Sequence, residues 1–499
     1  MTQPSTDTHT AHDDAQPLLE PGETCWRLAG ADRFGMIVDC ENYFAAFRQA
    51  CLQARHRIFL VGWDFDARIR LVMEDPHDGW PVKVGAFLSA LVHRRPELQI
   101  YILKWDVAFF SMIRQNPWPV RALQWKLSKR VHLKLDGEHP TGSCHHQKIV
   151  SIDDRFALVG SIDITRERWD TRAHADNDPR RKTPGRVPYQ PHHDVALALD
   201  GPAAADLGAL CRDRWRRATQ EDLDPPPKVT GTFDWPENAP EDGHGLTVGI
   251  ARTLPPFEDI PGIFEIESLT LRAIRQAERL IYLENQYFAS RAIARALIAR
   301  LREADPPEVV VINPREAGDW LEQATMDTAR VRVVAACRRA DHAGRFRIFQ
   351  PVTEKGHAIY VHAKVMIIDD RLLKVGSANI NNRSMGFDSE CDVATQAADD
   401  TTRTMIHGRL VDLLAEHLDV SQDTLRDRID ADGGRVIPAI ESLRVEHGRS
   451  LRPLEVEKPE DLDDIDAFIL DNQIGDPERP EKPWRLFKAK MMRAVGLAD

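Results

Sequence analysis

Two short segments of the sequence carry the same arrangement of histidine, lysine and aspartate. The first is "HQKIVSID", with His146, Lys148 and Asp153, and the second is "HAKVMIID", with His362, Lys364 and Asp369. Alternate residues of an extended strand face the same side, so each histidine shares a face with the lysine two places on. An imidazole supplies a nucleophile or an acid, and an ammonium group binds an anion. Two such faces brought together predict a pocket suited to cleaving a phosphodiester.

The likeness between the two segments continues beyond the aspartates. Gly160 and Ser161 lie 14 and 15 residues after the first histidine, and Gly376 and Ser377 stand at the same distances after the second. Asp163 and Asn379 each lie 17 residues after theirs. One H-x-K-x-x-x-x-D is a weak signal, but matched offsets indicate an internal repeat. We expect the two repeats to pack about a pseudo-twofold axis and to share one cleft.

The elements that must position these residues also occur twice in the same order. A helix followed by a strand is predicted in "ENYFAAFRQACLQARHRIFLVGW" and again in "ESLTLRAIRQAERLIYLENQYF". Further strands are predicted in "LQIYILKW" and "PEVVVINP", then in "VHLKLDG" and "RFRIFQP", and each repeat has a hairpin after its lysine. The pattern predicts an α/β fold. It consists of two pseudo-twofold-related α/β/α sandwich halves with mixed, mostly parallel sheets and the active site at their interface.

Composition shifts divide the chain into five parts. They are a flexible tail over 1–22, a first half over 23–220, a linker rich in proline and acidic residues over 221–245, a second half over 246–420 and a C-terminal extension over 421–499.

The bulk composition restricts the class of protein. The chain has 499 residues, 42% hydrophobic and 29% charged, which argues against a disordered or membrane-embedded protein. A net charge of −12 argues against a general nucleic-acid binder. Seven cysteines without C-x-x-C spacing indicate a reducing compartment. With no visible secretory signal and no long apolar stretch, we expect a cytoplasmic protein that could associate with the inner face of the membrane.

The motifs and the segments around them resemble the phospholipase D superfamily, in the form that has two HKD motifs in one chain. The resemblance covers roughly residues 40–420. The segments "GSIDITRERWDT", "IYLENQYF" and "GSANINNRSM" are similar to segments of the phosphatidylcholine-type phospholipases D, so they favour that branch.

The resemblance implies a two-step displacement at phosphorus. One imidazole attacks and forms a phosphohistidine, and the other protonates the leaving alkoxide and then activates water or an alcohol. His146 is assigned as the nucleophile and His362 as the general acid and base, with the reverse assignment left open. Lys148 and Lys364 would bind the non-bridging oxygens. The remaining donors expected at the substrate are Ser161, Ser377 and Asn379.

Three kinds of carboxylate are distinguished by the same resemblance. Glu390, and Asp194 in the first half, are expected to orient the imidazoles, with Asp392 as a rival to Glu390. The motif residues Asp153 and Asp369 are counted with the catalytic set, although we expect them to bind backbone or basic groups at the hairpins. Asp163 would repel phosphate if it were ionised, so it should turn away or pair with a lysine or arginine.

Other residues of reactive type receive structural interpretations. Cys144, His145 and His146 could suggest zinc, but the second motif has no matching cysteine, so neither a metal nor a cofactor is predicted. His145 is interpreted as a bystander. His192 and His193 are interpreted as surface or supporting residues. Trp63, Trp105 and Trp169 are interpreted as part of the core or the cleft wall.

The end of the chain, "WRLFKAKMMRAVGLAD", would form an amphipathic helix with an apolar stripe over 484–495. Such a helix could contact an anionic membrane surface or dock on the protein itself, and both interpretations stay open.

Four classes of function are compatible with these features. The favoured one is a phospholipase D that hydrolyses glycerophospholipids to phosphatidate and the headgroup alcohol, with transphosphatidylation when an alcohol replaces water. The alternatives are a cardiolipin synthase-like phosphatidyltransferase, a nuclease and a non-catalytic binding protein. We expect a monomer that meets its phospholipid substrate at a membrane surface and binds no nucleic acid.

Overall fold

A computed structural model describes residues 16–106, 129–316, 323–456 and 476–478. The first half contains β1 (Arg27–Val38), α1 (Cys40–Cys51), β2 (Arg57–Gly62), α2 (Val84–Arg94), β3 (Gln99–Trp105), β4 (Val131–Asp136), β5 (Ile149–Ile152), β6 (Phe156–Gly160), β7 (His192–His193), β8 (Val195–Asp200) and α3 (Pro202–Thr219).

The second half repeats that order. It contains β9 (Gly243–Leu254), β10 (Ile263–Phe264), α4 (Glu265–Gln276), β11 (Leu280–Glu284), α5 (Arg291–Leu301), β12 (Glu308–Ile312), a π-helical turn (Gln323–Asp327), α6 (Thr328–Ala340), β13 (Phe346–Val352), β14 (Tyr360–Val361), β15 (Val365–Ile368), β16 (Leu372–Gly376), α7 (Asn382–Gly386) and β17 (Glu390–Gln396). It is followed by α8 (Asp400–Leu418), α9 (Gln422–Ala431), α10 (Val436–Leu443) and β18 (Ser450–Pro453).

One continuous sheet runs through both halves. Its order is β18-β13-β12-β11-β15-β16-β17-β9-β1-β8-β6-β5-β2-β3-β4, with β10 added beside β9. From the central antiparallel pair β1–β9, the equivalent strands of the two halves follow one another outward in the same sequence. This arrangement is the pseudo-twofold relation that the repeated sequence predicts.

The mixed α/β class predicted from the sequence is confirmed, but the sheet is mainly antiparallel in its described strands. Parallel pairing is confined in the large sheet to β2–β3–β4 and β11–β12–β13, where helices alternate with strands. The hairpins β5–β6 and β15–β16, and the pairings that join the halves, are antiparallel. A short connection returns the chain beside the strand it has just left, and that produces antiparallel neighbours.

Helices cover both faces of the sheet in each half. The first half has α1 and α2 over one face and α3 over the other, and the second half has α4, α5 and α6 opposite α8. The core on the α3 and α8 side is shared, because Phe34, Trp215 and Val393 belong to a single buried cluster. The two halves therefore share apolar packing as well as a sheet.

Both HKD hairpins turn on a pair of aspartates with left-handed backbone. Asp153 and Asp154 have φ of 51° and 54°, and Asp369 and Asp370 have φ of 51° and 56°. Two consecutive residues with positive φ are typical of the two-residue turns whose twist matches a hairpin. The turn predicted at Asp153 thus has a conformational reason, since aspartate tolerates this region better than most residues.

The structure begins earlier than the boundary predicted at residue 23. Within the predicted tail, Leu18 and Leu19 are buried in the core beneath α4. Arg272 of α4 also donates a hydrogen bond to the carbonyl of Pro17 at 2.8 Å. Residues 16–22 are therefore packed on the second half, and the rest of the predicted tail lies outside the described residues.

The predicted linker and C-terminal extension are also packed where they are described. Phe233 stacks on Phe156 with ring centroids 5.0 Å apart, so the segment 221–245 lies against the first half. After residue 420, β18 pairs with β13 and extends the sheet of the second half. The amphipathic helix predicted over 484–495 lies outside the described residues. Among the helices that are described, none has both the length and the apolar character needed to cross a bilayer.

Candidate active site

The two HKD motifs meet where the halves are joined by backbone hydrogen bonds. The N–H of His146 donates to the carbonyl of Ser389 at 2.9 Å, and the N–H of His362 donates to the carbonyl of His193 at 2.8 Å. In each case the acceptor immediately precedes a carboxylate residue of the opposite half. The backbone therefore places each HKD histidine beside a carboxylate from the other repeat.

The two histidine–carboxylate pairs are exchanged between the halves. Nδ1 of His146 lies 3.0 Å from both carboxylate oxygens of Glu390, and Nδ1 of His362 lies 2.8 Å from Oδ2 of Asp194. A carboxylate at Nδ1 places the N–H there and leaves Nε2 free to act on a substrate. Asp392, the rival to Glu390, binds Lys374 and the N–H of Ala378 instead.

Both carboxylates are buried and receive hydroxyl hydrogen bonds. Ser377 Oγ donates to Glu390 at 2.5 Å and Ser384 Oγ donates to it at 2.6 Å, while Ser161 Oγ donates to Asp194. The sequence predicts Ser161 and Ser377 as substrate donors, whereas their hydroxyls hold the orienting carboxylates in this structure.

The remaining predicted donor, Asn379, is placed differently from the two serines. It is buried, and its Oδ1 has no hydrogen-bond partner within the described residues. Unlike Ser161 and Ser377, Asn379 does not donate a hydrogen bond to an orienting carboxylate within the described residues.

The two lysines are buried and are held by the backbone of their own motifs. Lys148 Nζ donates to the carbonyl of His146 at 2.8 Å and lies 3.3 Å from Oδ2 of Asp163. Lys364 Nζ donates to the carbonyl of His362 and to Oε1 of Gln286, the latter at 3.1 Å. Asp163 therefore pairs with a lysine, as the sequence analysis anticipates for a carboxylate at this place.

Burial shifts the pKa values of the ionisable groups in the site. It lowers the pKa of both His146 and His362, and the adjacent lysines lower these pKa values further. Burial also raises the pKa of Glu390. The pKa of Asp194 shifts in the opposite direction. Burial alone would raise the pKa of Asp194, but the His362 and His192 rings hold that pKa well below its usual range. The neutral form of both imidazoles is therefore favoured.

The motif aspartates lie at the far end of the hairpins and take no part in the site. Asp153 accepts hydrogen bonds from the N–H groups of residues 55, 56 and 57 at 2.6–2.8 Å. Asp369 accepts from those of residues 278, 279 and 280 at 2.6–2.7 Å. Their inclusion with the catalytic residues is therefore corrected: each one anchors the loop that leads into β2 or β11.

Three histidines outside the motif pairs, one interpreted as a bystander and two as surface or supporting residues, are buried at the site or beside it. The ring of His192 lies 5.6 Å from that of His362 and is stacked on Tyr360. His193 is buried, with its Nε2 at 2.9 Å from Glu284, so a surface position is wrong for both histidines. His145 binds Ser389 Oγ at 2.8 Å and helps to join the halves. The signal available in sequence is that His193 precedes Asp194 as Ser389 precedes Glu390.

A second group of polar residues is buried behind the site. Asp39, His174, His193 and Glu416 each offer a ligand atom, and these atoms lie within 4.8 Å of one another. Oδ2 of Asp39 has no hydrogen-bond partner within the described residues. This donor set could hold a metal ion, as could the set of His192, Asp194 and His362. The sequence analysis missed the first group because its members are spread over both halves.

Comparisons with known proteins agree with this geometry. A family profile described as "Cardiolipin synthase, PLD-like domain" matches residues 270–406, which include the second HKD motif. Phospholipase D A of Dictyostelium discoideum is 25% identical over 466 residues, covering 77% of this chain and 34% of that protein. Phospholipase D alpha 4 of Arabidopsis thaliana is 23% identical and covers 71% of this chain and 60% of its own length.

A solved structure has the same fold. Phosphatidylserine synthase of Haemophilus influenzae Rd KW20 superposes with a TM-score of 0.54 at 11% identity, covering 83% of this chain and 97% of the other. Residues 270–406 thus match a PLD-like domain, and the chain is similar to phospholipases D over 77% and 71% of its length. It spans 34% and 60% of the two phospholipase D relatives above, so it corresponds to a part of each of those longer proteins. In superfamily terms, each half of the chain contributes one HKD motif, and one carboxylate to the motif of the other half.

Proposed function

We propose that the chain is a phosphatidylcholine-type phospholipase D that hydrolyses glycerophospholipids to phosphatidate and the headgroup alcohol. The observation that carries the proposal is the exchanged arrangement of His146–Glu390 and His362–Asp194, with Lys148 and Lys364 beside the rings. The similarity to phospholipases D of Dictyostelium discoideum and Arabidopsis thaliana supports this chemistry. The membrane surface is the proposed source of the substrate.

The first step forms a covalent intermediate. Nε2 of His146 attacks phosphorus, a P–N bond forms, and the P–O bond to the headgroup breaks. His362, protonated at Nε2 when the phosphate anion binds, gives its proton to the departing alkoxide. The lysine charges stabilise the negative charge that develops on the non-bridging oxygens.

The second step regenerates the enzyme. Neutral His362 takes a proton from water, the water oxygen bonds to phosphorus, and the P–N bond to His146 breaks. An alcohol in place of water gives a new phosphodiester, which is transphosphatidylation. Because the carboxylates fix both rings, the two steps need only proton transfer at Nε2 of His362 and no movement of the backbone.

The test uses vesicles of mixed phospholipids with added ethanol and mass spectrometry of the products. Phosphatidate and phosphatidylethanol are expected from the unmodified chain. We expect His146→Ala and His362→Ala each to lower turnover by at least about 10⁴-fold, since nucleophile and acid act as a unit. His77→Ala is a matched control because that side chain is 90% exposed.

The remaining outcomes separate the alternatives. Cardiolipin as the main product would support a phosphatidyltransferase. Cleavage of single-stranded DNA without lipid turnover would support a nuclease. Full activity of either histidine variant would refute the mechanism. An acid-quenched reaction that yields a phosphorylated peptide containing His146 would identify the nucleophile, and a peptide containing His362 would reverse the assignment.

A further inference from the structure

The pseudo-twofold relation of the site breaks down at Arg168. This residue lies 22 positions after His146, and the position 22 after His362 is Ser384. In the second half, the Ser384 hydroxyl donates to the orienting carboxylate of Glu390 at 2.6 Å. At the same offset along the sequence the first half has the guanidinium group of Arg168, so it has a positive charge where the second half has a neutral hydroxyl.

The side chain of Arg168 is partly buried, and its guanidinium has few hydrogen-bond partners. Nη1 donates to the carbonyl of the adjacent Glu167 at 3.3 Å, and Nε is buried without a hydrogen-bond partner. Within residues 16–106, 129–316, 323–456 and 476–478, no carboxylate lies at ion-pair distance from this group. A buried N–H without an acceptor is costly, so such a group commonly serves a ligand.

Acidic residues of both half-sites nevertheless surround Arg168 at longer range. Burial opposes its charge, but Asp163 and Asp194 together raise its pKa. Asp163 is the carboxylate beside Lys148, and Asp194 is the carboxylate of His362. Burial is the main cause of the lowered pKa values of His362 and Lys364. The positive charge of Arg168 lowers both of these pKa values further. The guanidinium therefore lies in the electrostatic field of both motifs.

We propose that Arg168 is a third cationic contact for the substrate phosphate, beside Lys148 and Lys364, and that it makes the two half-sites unequal. A guanidinium presents parallel N–H donors that match two oxygens of a phosphate group. It would bind the non-bridging oxygens of the phosphodiester and, after hydrolysis, the phosphomonoester of the product. This inference rests on the proposed function, since it assumes that the pocket receives a phosphoryl group.

The first measurement is the binding of inorganic phosphate to the full chain by titration calorimetry. Loss of a charge-assisted contact should weaken phosphate binding by roughly 10- to 100-fold in Arg168→Met. Arg168→Lys keeps the positive charge but loses the parallel N–H donors of the guanidinium, so its phosphate affinity should lie between those of the unmodified chain and Arg168→Met. Arg166→Ala, two residues away, is the matched control and should bind as the unmodified chain does. Unchanged binding by Arg168→Met would overturn the proposal.

A double-mutant cycle separates contact with phosphate from a purely structural role. If Arg168 only balanced the charge of Asp163, its removal would have no effect once Asp163→Asn had removed that charge. We expect Arg168→Met to weaken phosphate binding by the same factor in the Asp163→Asn background as in the unmodified chain. A ratio near one in the Asp163→Asn background would overturn the proposal.

The outcome is independent of lipid turnover. If the chain binds phosphate through Arg168 but releases no phosphatidate from vesicles, the proposed function fails and the phosphate contact stands. If vesicles are hydrolysed and Arg168→Met hydrolyses them at the unmodified kcat/KM, the inference fails and the function stands. Should Arg168→Met fail to fold, as judged by thermal unfolding, Arg168→Lys carries the test, and unchanged phosphate affinity in that variant overturns the inference.

Discussion

At the scale of single residues, the pKa values of the two orienting carboxylates shift in opposite directions. Asp194 accepts hydrogen bonds from His362, Ser161 and the N–H of Val195, and its pKa lies well below its usual range even though burial opposes this. Burial raises the pKa of Glu390, although Lys148 and the Ser377 and Ser384 hydroxyls oppose this shift. The ring expected to carry the proton thus faces the carboxylate with the lowered pKa, and the ring expected to attack faces the one with the raised pKa.

This difference predicts unequal effects of amide substitutions. Asp194→Asn should lower kcat by about 10³- to 10⁴-fold, because an amide neither stabilises an imidazolium nor fixes the tautomer. The loss in Glu390→Gln should be smaller by a factor of at least about 10, since burial raises the pKa of Glu390 and so already opposes its negative charge. Steady-state kinetics on phosphatidylcholine vesicles would measure both. Equal losses, or a larger loss for Glu390→Gln, would contradict these opposite pKa shifts.

The motif residues could be predicted from the sequence, but the pairing of each histidine with its carboxylate could not. His146 and Lys148 could be predicted because the spacing is local and occurs twice. The exchange of Glu390 and Asp194 could not be predicted, since an offset along the chain does not tell which half approaches. The same limit hid the role of Ser384, whose hydroxyl reaches Glu390 only after α7 has folded back onto β17.

At the scale of elements, the HKD hairpins are fixed at both ends by different means. At one end the histidine and lysine face the site, and at the other the motif aspartate accepts three backbone N–H groups. The hairpin strands of four and five residues between them span roughly 13–17 Å. The aspartate therefore acts on the loop before β2 or β11 and not on phosphate.

We therefore expect Asp369→Ala to reduce stability without reducing catalysis. Three backbone donors would lose a charged acceptor, and we expect a loss of about 2–4 kcal/mol in the free energy of unfolding. In the cold, where the fold persists, turnover should stay within about threefold of the unmodified rate, because the aspartate does not touch the substrate. Urea denaturation and kinetics on the same preparation would measure both.

The control for this prediction is Asp222→Ala, whose side chain is 88% exposed and which should change neither quantity. Turnover that falls by roughly two orders of magnitude while stability is unchanged would return Asp369 to the catalytic set.

Sequence patterns located the elements better than their pairing. The alternation of helix and strand correctly indicated β2, β3 and β4 and their counterparts, which form the parallel parts of the sheet. The expectation of a mostly parallel sheet was wrong because alternation says nothing about β1 and β9. These strands join the halves edge to edge in antiparallel register, with Leu28 opposite Gly249. Such long-range pairing is not determined by local periodicity.

At the scale of the whole molecule, the halves are linked in three independent ways. The sheet is continuous through β1 and β9, the orienting carboxylates are exchanged, and a buried cluster contains Asp39, His174 and His193 from one half with Glu416 from α8. Each HKD histidine takes its orienting carboxylate from the opposite half. The site can therefore form only when both halves have folded and docked.

The buried cluster predicts how stability depends on pH. Burial alone would lower the pKa of His174, but Asp39, Asp170 and Glu416 raise it from 6.5 to about 9. Because the folded pKa exceeds the unfolded one, this group's contribution is complete below pH 6.5 and disappears as pH rises through about 9. We expect the free energy of unfolding to fall by about 3 kcal/mol over that interval.

Urea denaturation across and slightly beyond this interval would measure the dependence, with a chelator present so that a proton and not a metal ion occupies the cluster. His174→Gln should be less stable at the acidic end and should show a shallower dependence, because it cannot carry the charge that the surrounding carboxylates stabilise. His77→Gln, at an exposed position, should keep the dependence of the unmodified chain. A free energy of unfolding that is constant or rises from pH 6.5 to about 9 would mean that His174 is neutral in the folded protein. In that case the two halves would be joined here by hydrogen bonds between neutral groups or by a metal ion that the chelator fails to remove.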